Sequence, residues 1–362
     1  MKKTKQFSSA LFLILFFWSI LFSKSLTANT ELVSWELAQT WGNEHLLGFP
    51  TTRLAELVNE LSDGKFTISL VSSSDHGNSR GIFDFVREGR YEMGHSASNF
   101  WAGKDPKTNF FSAVPFGMIT PELYSWFYES NGLELMNKVY QKHGLMSFPG
   151  GNSGHQMIGW FNREINTIKD IEGLKIRLPG LAGEVMKGLG AEIINPPVSE
   201  LKSALQNGKV DAVEFVGPAI DLNLGLAEVS KFYYIGWHSP SSEMQFLVNP
   251  KAYEQLSEHN KSILKHAMKL AAYDTFTKIV YENGQKMIAL RSENPNLIIR
   301  SFPTSVLKAL KKEHTRLTNL LIEQDQEGLT KEIVESMHNH IRVARLWTRF
   351  SDQAYLFNVS DL

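Results

Sequence analysis

The chain has 362 residues, 43% hydrophobic and 21% charged, which is enough apolar material for two packed domains and excludes a disordered or fibrous chain. Its 37 Lys and Arg are balanced by 38 Asp and Glu, so no positive excess is available to neutralise a nucleic-acid backbone. It contains no Cys, which removes disulfides, thiolate metal sites, Cys nucleophiles and the lipidated Cys of a bacterial lipoprotein.

Lys2, Lys3 and Lys5 precede an apolar run at 11–22 and a stretch of small and polar residues at 23–28. This order predicts a secretory signal peptide over 1–28, cut after Ala28. The run is shorter than the roughly 20 residues of a membrane span. Its removal takes away four Lys and no acid, leaving an acidic exported protein.

Beyond it, 32–39 reads as a strand. Residues 46–61 form a helix with Leu47, Leu54, Leu57, Val58 and Leu61 on one face, stopped by Gly64. Alternation predicts a strand at 65–72, a short helix follows at 79–89 through Ile82, Phe83 and Val86, and a strand at 91–98 leads to Phe100-Trp101. A comparable unit recurs, with strands at 156–162, 175–178, 192–194 and 212–215 and helices at 182–189 and 200–207. Two long amphipathic helices follow, at 258–284 and 305–326. The pattern predicts an α/β protein of two halves with late helices packed across both. Ligands of such proteins sit between the halves, at the carboxyl ends of strands.

Gly-x-Ser-x-Gly, His-Glu-x-x-His, Gly-x-Gly-x-x-Gly and the Walker loop are all absent. His338 and His340, two apart on a helix, point to different faces and make a poor metal pair. Four features remain. Arg177, in Lys175-Ile-Arg-Leu-Pro-Gly, ends a short strand; it is either an exposed strand-end residue or a planar pair of donors matched to a carboxylate. Glu214 interrupts an apolar strand end in Val210-Asp-Ala-Val-Glu-Phe-Val-Gly-Pro; it either faces solvent or, if buried, is paired with Arg177, a Lys or a metal ion. The glycine-rich stretch from Gly150 carries Asn152 and Gln156, whose amide oxygens are hard ligands, so Gln156 with Glu214 makes half of an oxygen-ligand site; an interdomain hinge and a phosphate loop are the alternatives. Phe100, Trp101, Trp160, Phe215 and Trp237 are core residues or walls of a small apolar-sided pocket.

Gly151-Asn-Ser-Gly-His-Gln-Met-Ile-Gly-Trp-Phe, Gly173-Leu-Lys-Ile-Arg-Leu-Pro-Gly, Leu205-Gln-Asn-Gly-Lys-Val-Asp-Ala-Val-Glu-Phe-Val-Gly-Pro and Tyr234-Ile-Gly-Trp-His together resemble the solute receptors of tripartite ATP-independent periplasmic (TRAP) transporters, most nearly the branch binding 2-oxo or 2-hydroxy monocarboxylates such as pyruvate or lactate. The resemblance implies a two-lobed periplasmic-binding-protein fold: lobe I over 29–150 completed by part of 240–300, lobe II over 151–239, and a return strand and long helices over 240–362. It implies a periplasmic receptor, not an enzyme, that passes a small organic acid to a membrane permease. Arg177 then matches the arginine holding the ligand carboxylate, Gln156 the glutamine contacting ligand and metal, Glu214 the acidic metal ligand, and Phe215 a position giving a backbone oxygen to the ion. Asn99, Phe100 and Trp101 match the pocket-lining stretch, with Phe100 where a tyrosine is frequent; Asn152 and Ser239 join the ligand set.

One departure concerns the metal. The branch usually has Glu directly after Trp-His, where this chain has Ser239, so sodium or no metal is favoured over calcium, with Glu243 as a substitute if the loop bends. A swapped C-terminal helix can make a dimer in these receptors, and the stretch 343–355, anchored by Trp347 and Tyr355, resembles it. Two other readings fit the same residues: a secreted metal-dependent enzyme using Glu214 as base and His155 as acid, and a ligand-sensing subunit.

Overall fold

A computed structural model describes residues 32–42 and 45–360; the expected signal peptide lies outside them. No helix among the described residues is long and apolar enough to cross a membrane. The strands are β1 (Val33–Gln39), β2 (Phe66–Val71), β3 (Met93–Ala97), β4 (Met146–Asn152), β5 (Met157–Phe161), β6 (Lys175–Arg177), β7 (Glu192–Ile193), β8 (Ala212–Val213), β9 (Phe232–Ile235), β10 (Glu243–Val248) and β11 (Ile298–Arg300). The main helices are α1 (Phe49–Leu61), α2 (Ile82–Arg87), α3 (Thr120–Glu129), α4 (Gly132–Gln141), α5 (Gly180–Gly188), α6 (Leu201–Gln206), α7 (Glu258–Glu293), α8 (Thr304–Gln324) and α9 (Leu329–Thr348).

The strands build two mixed sheets, ordered β2-β1-β3-β10-β4 and β11-β9-β5-β8-β6-β7. In the first, β1 and β3 are parallel while β10 runs antiparallel to both β3 and β4. In the second, β6 is parallel to β7 and β8, and β5 is antiparallel to β8 and β9. The chain therefore passes between sheets three times: from β4 to β5, from β9 back to β10, and from β10 through α7 to β11. Both sheets lie in the single compact unit that starts at Ser34.

The first sheet packs on a core that includes Phe83, Trp101, Phe111, Trp126 and Tyr140, and the second is sandwiched between cores around Ile176, Val185 and Leu310 and around Trp160, Leu205 and Tyr233. Helix α7 starts at the Ser257 cap, whose side chain accepts from the Asn260 N–H. It runs through Gly284 to Glu293, nine residues beyond the sequence expectation. A single glycine inside a helix costs only about 1 kcal/mol, and Leu290, fully buried in a second-sheet core, anchors the continuation. At 36 residues α7 is about 54 Å long, and it packs on β4 and α1.

The glycine-rich stretch is not a phosphate loop. Gly150 and Gly151 belong to β4. A Cβ on Gly150 would lie 2.5 Å from the Gln245 backbone, and Gly151 has φ of 115°. Gly150 thus lets β4 lie close against β10, and Gly151 lets it lie close against Thr275 of α7, just before the chain crosses to the second sheet. Phe116, at a positive φ of 58°, precedes α3 and stacks on Trp237, whose carbonyl accepts its N–H at 3.1 Å.

Candidate ligand site

Between the two sheets lies a cavity of about 140 Å³. Trp41, Ala97, Asn99, Phe100 and Met244 line it from the first sheet, and Ser153, Gln156, Arg177, Glu214, Phe215 and His238 from the second.

Arg177 closes β6 opposite Val213 of β8, so its side chain leaves the strand end beside Glu214. The Arg177 carbonyl accepts the Glu214 N–H at 2.9 Å, and Arg177 Nη1 donates to Glu214 Oε2 at 2.8 Å and to the Glu214 carbonyl. The pairing is backbone to backbone as well as side chain to side chain, which fixes the guanidinium's direction. The guanidinium carbon is 5.3 Å from the centre of the Phe215 ring. Glu214 is only 4% exposed, and its other oxygen lies 3.3 Å from His238 Nε2. Nη1 is committed to Glu214; Nε and Nη2 have no partner among the described residues and are open to a ligand carboxylate.

The local fold requires glycine at two points. A Cβ on Gly159 would stand 2.1 Å from the Val213 carbonyl, so only glycine lets β5 lie against β8 beneath Glu214. A Cβ on Gly236 would stand 1.9 Å from the Gln156 carbonyl. Gln156 donates through Nε2 to Ser153 Oγ at 2.8 Å and through its backbone to the Ser239 carbonyl at 2.9 Å. With its amide nitrogen so occupied, the Gln156 side-chain oxygen is the atom left to accept or coordinate.

Beneath the Phe215 turn lies Asp221, fully buried. It accepts from the Val216 and Gly217 N–H groups, Trp160 Nε1 and Tyr233 Oη, all at 3.0 Å. Burial pushes its carboxyl up to about 6. Burial, and then the charge of His238, lowers His155.

Of the residues expected to bind, Arg177, Gln156, Glu214, Phe215, Asn99 and Phe100 line the cavity. Asn152, Trp101 and Ser239 do not. Trp101 is 1% exposed and packs against Phe83 at 5.4 Å in the first core. Asn152 faces Glu243 across the β4–β10 pairing: Nδ2 donates to Glu243 Oε2 at 2.8 Å, and Oδ1 accepts from Thr120 Oγ1 at 3.0 Å and the Gly154 N–H at 2.8 Å. The Ser239 hydroxyl donates to the Ser241 carbonyl at 3.2 Å. Glu243 does not stand in for the missing carboxylate either, because it is 0% exposed and also accepts the Gly151 N–H at 3.0 Å on the crossing strand.

Trp160 and Trp237 are core residues: Trp160 stacks on Tyr233 at 3.9 Å. Trp41, Ser153, Met244 and His238 line the cavity without having been singled out. The histidine that Glu214 faces is His238 and not His155.

No group of three or more His, Asp or Glu capable of holding a metal occurs among the described residues. Among the lining residues, the three expected to hold an ion, Glu214, Gln156 and Phe215, offer a carboxylate, an amide oxygen and a backbone carbonyl, a hard set with one charge. It fits a hard cation of low charge.

Residues 37–325 match the model of the family described as bacterial extracellular solute-binding protein, family 7. A monocarboxylate 2-oxoacid-binding periplasmic protein of Nostoc sp. is 30% identical over 336 residues, covering 92% of this chain and 91% of that one. A TRAP periplasmic solute-binding protein of Colwellia psychrerythraea, solved with calcium and pyruvate, is 46% identical with a TM-score of 0.88, covering 91% of this chain and 100% of that one. Another from Pseudoalteromonas atlantica, solved with sodium and pyruvate, is also 46% identical with a TM-score of 0.85, covering 90% and 99%. The chain belongs to this family of periplasmic solute receptors of TRAP transporters. Receptors of this kind bind small organic acids and deliver them to membrane permease subunits.

Proposed function

We propose that this receptor binds a small 2-oxo monocarboxylate of pyruvate's size. The observation carrying the reading is the open Nε–Nη2 edge of Arg177 facing a cavity of about 140 Å³. A cavity of about 150 Å³ holds benzene, with six heavy atoms; pyruvate also has six. Arg177 takes the carboxylate, and Asn99 and Ser153 face the remaining 2-oxo oxygen. Phe100, Phe215 and Met244 limit the side chain to one or two carbons.

Gln156, Glu214 and the Phe215 carbonyl would hold one cation, which supplies positive charge to the ligand's oxygens. With one carboxylate in the set, sodium is the expected ion. No bond is made or broken in this cycle; the protein is a receptor without catalysis. The two sheets act as two lobes, 29–150 with a return strand from 240–300 and 151–239, closing about the crossings at 152–157 and 235–243. Closure removes water and strengthens the Arg177–carboxylate pair. Residues 1–28 are removed on export. Trp347, Phe350, Tyr355 and Phe357, each at least 66% exposed, give the C-terminal helix an apolar face that supports a swapped dimer.

Calorimetric titration of the refolded protein with pyruvate, 2-oxobutyrate, lactate and succinate, in sodium, calcium or neither, tests the reading. One pyruvate per chain, strengthened by sodium, is the expected result. Succinate binding without pyruvate binding would overturn the ligand class.

A further inference from the structure

A second guanidinium stands against Phe100, one of the residues that line the cavity. Arg80 lies in the loop between β2 and α2. The loop is tied to the end of β1, because Thr40 Oγ1 donates to the Ser79 carbonyl at 3.0 Å, and it is closed locally by the Arg80 N–H donating to Asn78 Oδ1 at 3.1 Å. Trp41, which lines the cavity, follows directly from that strand end.

The Arg80 guanidinium carbon sits 3.8 Å from the centre of the Phe100 ring, whose edge lines the cavity and whose centre is 6.2 Å from Trp41. Phe100 brings no hydrogen-bond donor to the cavity wall. The guanidinium over its ring carries a full positive charge beside that wall.

Arg80 and Arg177 differ in one respect. Arg177 is neutralised by Glu214 at 2.8 Å. Arg80 has no acidic partner and no side-chain hydrogen bond among the described residues, and it is exposed to solvent. Desolvation of the stacked group, and then the charge of Arg177, hold Arg80 below its ordinary value, so the two cations share one field. An arginine kept only for packing gains nothing from facing a like charge. Beside the Phe100 wall of the cavity, one positive charge is thus left unbalanced among the described residues.

We propose that Arg80 determines the ligand's charge: held over the Phe100 ring on the first-sheet side of the cleft, it draws an organic anion toward Arg177 and discriminates acids from their neutral isosteres. The proposal rests on the carboxylate-receptor reading and names a residue that reading does not use. Arginine rather than lysine suits the position, because a planar guanidinium can stack on the ring while its edge addresses an anion.

The test is stopped-flow tryptophan fluorescence and titration of the wild type, Arg80→Gln and Arg80→Lys with pyruvate and with pyruvamide, its neutral isostere. Sodium is held constant and ionic strength is varied with choline chloride. Arg80→Gln is expected to slow pyruvate association about tenfold at low ionic strength, with the difference closing to about twofold once the Debye length falls to a few ångströms. Arg80→Lys should stay within about threefold of the wild-type association rate, since steering follows charge, while dissociating faster. Pyruvamide binding should be the same in the wild type and Arg80→Gln, or undetectable in both. An Arg80→Gln association rate equal to the wild type at low ionic strength would overturn the proposal, and so would equal weakening of pyruvate and pyruvamide, which marks a packing role. A wild type that binds none of pyruvate, 2-oxobutyrate or lactate would instead overturn the 2-oxo monocarboxylate reading on which the proposal rests.

Discussion

Two buried glutamates occupy opposite sides of the route from the first sheet to the second, and they have opposite surroundings. Glu214 has a cation at 2.8 Å and faces the cavity. Glu243 is 0% exposed and meets only neutral donors, the Gly151 N–H and the Asn152 amide, with Tyr124 and Tyr128 packed near it. Burial pushes Glu243 up to about 7 despite those donors. At Glu243 the neutral donors do not offset the burial, and no guanidinium stands beside it as Arg177 stands beside Glu214. The first arrangement can transfer its cation's attention to an incoming acid. The second can only hold strands together.

The largest effect should come from breaking the first arrangement. Arg177→Ala removes the ligand's anchor and leaves Glu214 buried with only His238, so pyruvate affinity should fall by about 30-fold or more, as for a truncated charge pair, and stability by about 3 kcal/mol. Replacing both partners, as Arg177→Met with Glu214→Leu, should recover most of the stability and none of the binding, measured by urea denaturation and calorimetry. Recovery of binding in the double variant would show that the pair is not the anchor.

A smaller and differently directed effect separates neighbours on the crossing strand. Asn152→Ala strips Glu243 and Thr120 of partners, so it should cost about 1–3 kcal/mol of stability while leaving pyruvate affinity within about threefold. Ser153→Ala frees the Gln156 amide that its hydroxyl holds at 2.8 Å, so it should weaken pyruvate binding about three- to tenfold with little loss of stability. The reverse pattern would mean that Asn152, not Ser153, is the ligand-facing residue.

That pair shows how far sequence carries. The strands of both α/β units were legible because their alternation and bounding turns are local signals, and Arg177, Gln156 and Glu214 were legible because polar groups at apolar strand ends need a reason to be there. Three of the expected ligand contacts are each one residue away from a residue that lines the cavity: Asn152 beside Ser153, Trp101 beside Phe100, Ser239 beside His238. At the end of β4 successive side chains point to opposite faces, and the pairing of Glu243 with Asn152 decides that Ser153 faces the cleft; Phe100 and Trp101 share a single 3₁₀ turn, where burial of Trp101 in the first core decides the same question. Trp41 and Met244 were hidden for another reason: they come from β1's end and the return strand β10, and nothing local ties them to residues 153–215. Helices α3 and α4 were missed although Pro121 in the first turn of α3 is a favoured helix start; aromatic residues at 124 and 126–128 surround the helix and blur its stripe.

The gentlest way to sharpen the comparison is pH. Glu243 has a folded value of about 7 against an ordinary 4.5, so the folded state keeps its proton after the unfolded chain has lost it. Its contribution to stability is fully present below about pH 4.5 and is lost as pH rises toward 7, with a slope of at most about 1.4 kcal/mol per pH unit. The whole protein will not display that slope plainly. His95 and His314, which burial holds down at about 4, bring stability that is lost in the other direction, as pH falls from 6.5 toward 4. Asp221, pushed up to about 6, adds to the Glu243 side. The difference between the wild type and Glu243→Gln cancels the histidines and Asp221, which both proteins share. Urea midpoints taken from pH 4.5 to 8 should show the wild type losing ground to Glu243→Gln up to about pH 7 and the two running parallel above it. Curves parallel over the whole range would mean that the Gly151 and Asn152 donors hold Glu243 ionised after all, and that the two glutamates differ in position but not in charge.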